Sequence, residues 1–208
     1  MGRNRNIMRN QRIRLLVEIA LTIALSAVLN VLKIWQMPQG GTVSLVMLPI
    51  IVLALRRGVV AGTVAGALYG VVDLLVDYVP PVHPVQFVLD YPLAYALVGL
   101  AGLFAGAWAA SRSKSAMTGL WTAIVPAVVL ASLARYASHV ASGAVFFGQY
   151  APKGQPVLVY SLIYNSYVLI SGALALAVAA VVMPALSRAL DAPVTSGDDV
   201  SKRPTEQQ

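Results

Sequence analysis

An all-α membrane protein, a bundle of six transmembrane helices with both termini in the cytoplasm, is the fold this sequence predicts, and three observations predict it. Of the 208 residues, 58% are hydrophobic and only 11% charged, and the mean hydropathy of +0.74 is far above that of a soluble domain of this length. The apolar residues fall into six runs, separated by connections rich in proline, glycine or charge. The basic residues collect at alternate connections. The N-terminus, Arg56 and Arg57, Arg112 and Lys114, and Arg188 fall on one side of a six-span chain, with Lys33 and Lys153 alone on the other. By the positive-inside bias the first set faces the cytoplasm, so the connections around Trp35, His83 and residues 147–160 lie together outside.

The same composition excludes several functions. A net charge of +7 could serve nucleic acid, but the basic residues sit at segment ends and not on a surface interleaved with aromatics, so no nucleic-acid partner is expected. Cysteine is absent, which removes disulfides, thiolate nucleophiles and thiolate metal sites. No H-E-x-x-H, G-x-S-x-G or P-loop pattern is present, so neither enzyme chemistry nor ATP hydrolysis by that machinery is expected.

Residues 1–14 form a basic N-terminus, with Arg3, Arg5, Arg9, Arg12 and Arg14 preceding an apolar run from Leu15 to about Leu32. That run is too long for a signal peptide and lacks a clean A-x-A site, so it reads as the first spanning helix. Ala20, Ala24 and Ala27 make a strip of small residues that would let another helix approach closely, and spacing alone favours packing inside the bundle. Pro38, Gly40 and Gly41 end this element, and Trp35 suits either an interfacial belt or a cover over a cavity. The second run, Val43 to Leu55, is short for a span and contains Pro49. Arg56 and Arg57 mark a tight turn.

Glycines at 58, 62, 66 and 70 then line one face of the third helix, which a neighbour must approach closely. Asp73, Asp77, Tyr78 and His83 follow among prolines; as charges at a helix end they read as solvated, and no metal is expected. The fourth run carries Asp90 beside Tyr91 and Tyr95. A carboxylate there costs on the order of 2.5–3.5 kcal/mol unless compensated, by Arg135 or by a ligand.

The fifth run, Met117 to about Phe147, sets Arg135, His139, Ser142 and Phe146 on one helical face. A loop containing Pro152, Gly154 and Pro156 leads to Tyr160, Tyr164 and Asn165 at the start of the sixth run, so two helices present polar and aromatic groups at one end. The spanning unit is expected over 15–187, with residues 188–208 as a polar, disordered cytoplasmic tail. An outward box of aromatics, one acid, one histidine and one asparagine suits a flat, nitrogen-rich cation, since aromatic faces attract a cation by roughly 0.5–2 kcal/mol each.

These residues carry a resemblance. The stretch from RYASH through FFGQYAPKG to YSLIYN, with LRRGVVAG, the Asp90–Tyr91 pair and GLAGLF, resembles the thiamine-specific S components (the ThiT family) of energy-coupling factor transporters, bacterial vitamin importers of the ABC class, over residues 13–187. The resemblance implies a bundle in the cell membrane with a thiamine pocket near the outer face, capped by the loop after the first helix, and no cofactor. Its ligand-binding positions fall on Asp90, Tyr91, His139, Phe147, Tyr160 and Asn165, with Trp35 in the cap. Asp90 and Phe147 stand where the family member used for comparison has Glu and Trp. The implied partners are a transmembrane T component, which docks on the small strip at Ala20 and Ala24, and two cytoplasmic ATPase subunits. Two alternatives remain: an S component for another small cationic or aromatic solute, and a stand-alone secondary transporter coupled to protons through Asp90 or His139. Inverted repeats would favour the latter, and none is visible.

Overall fold

The computed structural model of the protein describes residues 2–77, 80–111 and 114–191. Tyr78, Arg112 and residues 192–208 of the expected tail lie outside the described residues, as do the side chains of Arg3, Arg5, Asp77 and Arg188. Six helical rods follow one another. The first is α1 (Gly2–Val31), the second α2 (Met47–Arg57) and the third α3 (Val59–Asp77). The fourth is α4 (Pro84–Asp90), α5 (Pro92–Val98), a 3₁₀ segment Gly99–Phe104 and α6 (Ala105–Ser111). The fifth joins α7 (Ala116–Gly119) to α8 (Val125–Phe146), and the sixth joins α9 (Val157–Tyr164) to α10 (Tyr167–Asp191). Five of the rods are long and apolar enough to cross a membrane.

The rod that is not, α2, has 11 residues and is about 16 Å long. It is the centre of the bundle. Val46, Met47, Ile50, Ile51, Ala54 and Leu55 are fully or almost fully buried, because neighbouring helices surround it. A helix that is apolar on every face is a core helix. Pro49 is tolerated within its first turn, where the missing N–H leaves no helical bond unmade. A single residue, Gly58 at φ 88°, turns the chain from α2 into α3.

Helix α1 begins at Gly2 and not after a separate basic arm, so the arginines of residues 1–14 continue the helix instead of preceding it. It buries only one stripe, Ile19, Thr22, Ser26 and Asn30. Near its basic end Arg57 donates to both carboxylate oxygens of Glu18, at 2.7 and 2.5 Å, which ties α1 to the α2–α3 turn. Ala20 and Ala24 are exposed. The internal packing that spacing favoured is therefore not where these two alanines are used.

The glycine face of α3 meets α5 and the 3₁₀ segment backbone to backbone. A methyl group at Gly66 would lie 2.1 Å from the Tyr95 carbonyl oxygen, and one at Gly70 would lie 2.4 Å from that of Tyr91. The approach is reciprocal, since a methyl at Gly99 would stand 2.2 Å from the Thr63 nitrogen. Only glycine allows this contact, and it fixes the carbonyls of Tyr91 and Tyr95, and with them the segment bearing Asp90, against α3.

Candidate ligand-binding site

Between residues 32 and 46 the chain forms a small hairpin, β1 (Trp35–Gln36) paired antiparallel with β2 (Thr42–Val43). Gly40 and Gly41, at φ 90° and 87°, make its tip. A side chain on Gly41 would run into the Tyr167 ring at 2.6 Å, so the tip lies directly on α10. Beneath this hairpin is a cavity of about 480 Å³, within the span of small-molecule sites. Residues 36–42, Pro80, Val82, Phe147 and Tyr150 also line it, so the three connections expected to share one end of the bundle do so.

Two helix breaks shape the walls. At Pro92 the missing N–H and the ring interrupt the fourth rod, and Tyr91 takes non-helical angles (φ −114°, ψ −88°). The Leu89 carbonyl accepts instead from Ser138 of α8 at 2.6 Å. In the sixth rod the break falls at Asn165 and Ser166. There the Asn165 amide donates to the carbonyls of His139 (3.3 Å) and Ser161 (2.9 Å). Ser161 donates to the Val140 carbonyl at 2.8 Å, and Gly143 leaves room for its hydroxyl. Backbone that loses its helical partners in a membrane needs protein groups to satisfy it, and α8 supplies them with Ser138 on the Leu89 carbonyl and the Tyr136 hydroxyl on the Leu162 carbonyl at 2.8 Å.

Asp90 ends α4 at the first break and faces the cavity. Its Oδ2 accepts from Gln86 Nε2 at 2.6 Å and from Ser142 Oγ at 2.8 Å, while Oδ1 lies 3.0 Å from His139 Nδ1. The open question of its partner is thereby answered: Arg135 does not pair with Asp90. The Arg135 guanidinium packs 4.3 Å over the Tyr95 ring and donates through Nη2 to the Tyr95 hydroxyl at 3.0 Å. Its Nε and Nη1 and the Nε2 of His139 are buried without a hydrogen-bond partner among the described residues, and both residues line the cavity. Unpaired polar atoms in a cavity wall are the groups a polar ligand would satisfy.

Asp73, expected in solvent at a helix end, is only 6% exposed. Its carboxylate accepts from Asn30 Nδ2 at 2.9 Å and Tyr69 Oη at 2.8 Å and lines the cavity floor. Asn30 in turn accepts from Thr42 Oγ1 of the hairpin at 3.0 Å. His83 caps α4 by accepting from the Val85 N–H and stacks on Phe146 at 5.1 Å, outside the cavity lining. Among the described residues no cluster of three or more His, Asp or Glu could hold a metal.

Of the positions singled out in the sequence, Asp90, Tyr91, His139, Phe147, Tyr160 and Asn165 line this one cavity. Trp35 lies in β1 but is 65% exposed and does not line it. Sequence reasoning missed Gln86 and Tyr167 as wall residues and did not see what Ser142 holds. Their signals were present: Gln86 stands one helical turn before Asp90, and Ser142 stands one turn after His139.

Comparison with known proteins agrees with this architecture. Residues 16–191 match the family described as "Thiamine transporter protein (Thia_YuaJ)". The thiamine transporter ThiT of Bacillus subtilis (strain 168) is 38% identical over 153 residues, 73% of this chain and 80% of that protein. ThiT of Lacticaseibacillus paracasei is 50% identical over a short stretch of 38 residues, 18% of this chain and 19% of that one. The solved structure of ThiT from Listeria monocytogenes superposes with a TM-score of 0.74 at 25% identity, over 86% of this chain and 96% of that one. With its five spanning rods, its buried central helix and a family match across almost the whole bundle, the chain is a multi-pass membrane protein that belongs to the thiamine transporter family.

Proposed function

We propose that this chain is the thiamine-binding S component of an energy-coupling factor importer, capturing the vitamin from the outer face of the membrane. The observation that carries the reading is Asp90, a membrane-embedded carboxylate held by Gln86, Ser142 and His139 at the edge of an aromatic cavity with no protein cation on it. Thiamine offers the matching chemistry. Its exocyclic amine donates to a carboxylate, and its ring nitrogens can meet the unmatched donors of Arg135. Its thiazolium cation gains from the tyrosine and phenylalanine faces near the mouth, where Phe147, Tyr150 and Tyr160 stand. Two carboxylates, Asp73 and Asp90, against one guanidinium also favour a cation in the cavity.

The basic ends of α1 and of the α2–α3 turn lie opposite the cavity mouth in chain order, so the positive-inside bias puts both termini in the cytoplasm and opens the mouth outward. Ala20 and Ala24 expose a small-residue face on α1, suited to close approach by a transmembrane helix of the T component, with two ATPase subunits supplying the energy. A calorimetric titration of the detergent-purified chain with thiamine, its phosphates and riboflavin tests the reading. Saturable one-to-one binding of thiamine without riboflavin binding is the expected result, and absence of thiamine binding by folded protein would overturn it.

A further inference from the structure

The hairpin over the cavity is fastened in two different ways. Its base is anchored by buried bonds: Thr42 Oγ1 to Asn30, the Thr42 carbonyl to Ser171 Oγ at 3.3 Å, and Ser44 N–H to the same hydroxyl at 3.3 Å. Its tip is held differently. The Tyr164 hydroxyl accepts from the Gln39 N–H at 2.9 Å and donates to the Gly40 carbonyl, also at 2.9 Å. Among the described residues these are the only hydrogen bonds that reach residues 38–40 from outside the hairpin. One hydroxyl therefore clasps two successive residues of the tip, and does so from the last residue of α9, immediately before the Asn165 break.

The Tyr164 ring belongs to the cavity wall, 5.7 Å from Tyr160 and edge-on to Tyr167 at 6.4 Å. Its hydroxyl is committed to the tip through both its proton and a lone pair. Residues 36–42 line the cavity from above, so the clasp fastens the part of the hairpin that covers a ligand beneath it. Met37 N–H to Gly41 O and Gly40 N–H to Met37 O, at 2.9 and 3.1 Å, keep the tip a rigid turn that lifts as a unit.

We infer that Tyr164 is a positioning residue that latches the hairpin and sets how fast a bound ligand escapes. The inference rests on the thiamine-binding reading only for the identity of the ligand. The clasp is closed in the ligand-free protein, so removing the hydroxyl should ease entry as well as release.

The test is Tyr164→Phe, which keeps the ring. With thiamine as the probe, stopped-flow fluorescence should give a dissociation rate about tenfold higher, from the loss of two neutral hydrogen bonds, with the association rate raised as well. Hydrogen exchange of the ligand-free protein should show residues 33–46 exchanging faster, with α2 and α3 unchanged. Tyr136→Phe is the control: its hydroxyl donates to the Leu162 carbonyl at 2.8 Å in the same pair of helices, away from the cavity lining. That variant should lose thermal stability and leave both the hairpin exchange and the release rate as they were. Faster release with unchanged hairpin exchange would mean the hydroxyl contacts ligand, and would overturn the latch. Unchanged release, or faster exchange throughout the bundle, would overturn it equally. Failure of the parent protein to bind thiamine would instead sink the ligand assignment, and the ligand-free exchange would still decide the latch.

Discussion

Asp90→Asn separates a ligand-binding carboxylate from a structural one, and the geometry says in advance how each outcome would look. In the native site two donors, Gln86 Nε2 and Ser142 Oγ, converge on Oδ2, while His139 Nδ1 meets Oδ1. An asparagine can satisfy all three neighbours in one orientation: its carbonyl oxygen takes the Oδ2 position, and its amide faces His139. Nδ1 of His139 must then accept, which moves the imidazole proton to Nε2. The scaffold loses no hydrogen bond, so the melting temperature of the ligand-free variant should change by only a few degrees. The ligand loses a charged acceptor and a counter-charge. Hydrogen bonds to charged groups contribute about 1.5–3 kcal/mol, so thiamine affinity should fall roughly 10- to 150-fold. Asp90→Glu restores the charge one methylene further out and should do much less harm. The assay is calorimetric affinity and thermal unfolding side by side for the three proteins. Unchanged affinity in folded Asp90→Asn would remove Asp90 from the ligand and refute the reasoning.

Three further outcomes follow from the same structure. Phe147 caps α8 at the cavity mouth and stacks on Tyr150 at 6.2 Å, so Phe147→Ala should weaken thiamine binding by about 1–2 kcal/mol in the same titration, whereas Phe147→Trp should match or exceed the parent. Because Ala20 and Ala24 are exposed, Ala24→Leu should leave binding by the isolated chain intact and reduce uptake by the assembled importer at least several-fold; equal loss of both would mean the face serves the fold. In the cysteine-free chain, a thiol introduced at Lys114 should react with an impermeant reagent only from the cytoplasmic side and one at Lys153 only from outside, and reversed labelling would invert the proposed topology.

Elements whose signal is local were legible before any coordinates. Hydrophobic runs gave the rods, four-residue glycine spacing gave the close face of α3, and helical spacing put Arg135, His139 and Ser142 on one side of α8, where all three are buried. What escaped depends on tertiary partners. Asp73 read as solvated because nothing local shows that Asn30 and Tyr69, on α1 and α3, would enclose it. The pairing of Asp90 with Arg135 was open because spacing puts both near the cavity and says nothing of the direction in which a guanidinium points. Tyr95, one turn beyond Tyr91 and welded to α3 through its own carbonyl, captures Arg135 first. The helix starting at Gly2 was missed because hydropathy marks where a chain becomes apolar, not where its helix begins.

The two helix breaks that shape the cavity lie at the polar end of the bundle, and how they are closed follows from the solvent. In hydrocarbon a broken helix exposes carbonyls and amides that lipid cannot satisfy. At the two breaks nearest the cavity, side chains of α8 meet carbonyls of the broken rods: Ser138 that of Leu89, and Tyr136 that of Leu162. Helix α8 therefore does two jobs, repairing the fourth and sixth rods with Ser138 and Tyr136 while turning Arg135 and His139 into the cavity. The buried chain from Thr42 through Asn30 to Asp73 extends this economy to the hairpin, joining the cover of the site, the hairpin end of α1 and the floor beside Arg135. A displacement of the Asp73 carboxylate cannot leave both Asn30 and the hairpin base where they are.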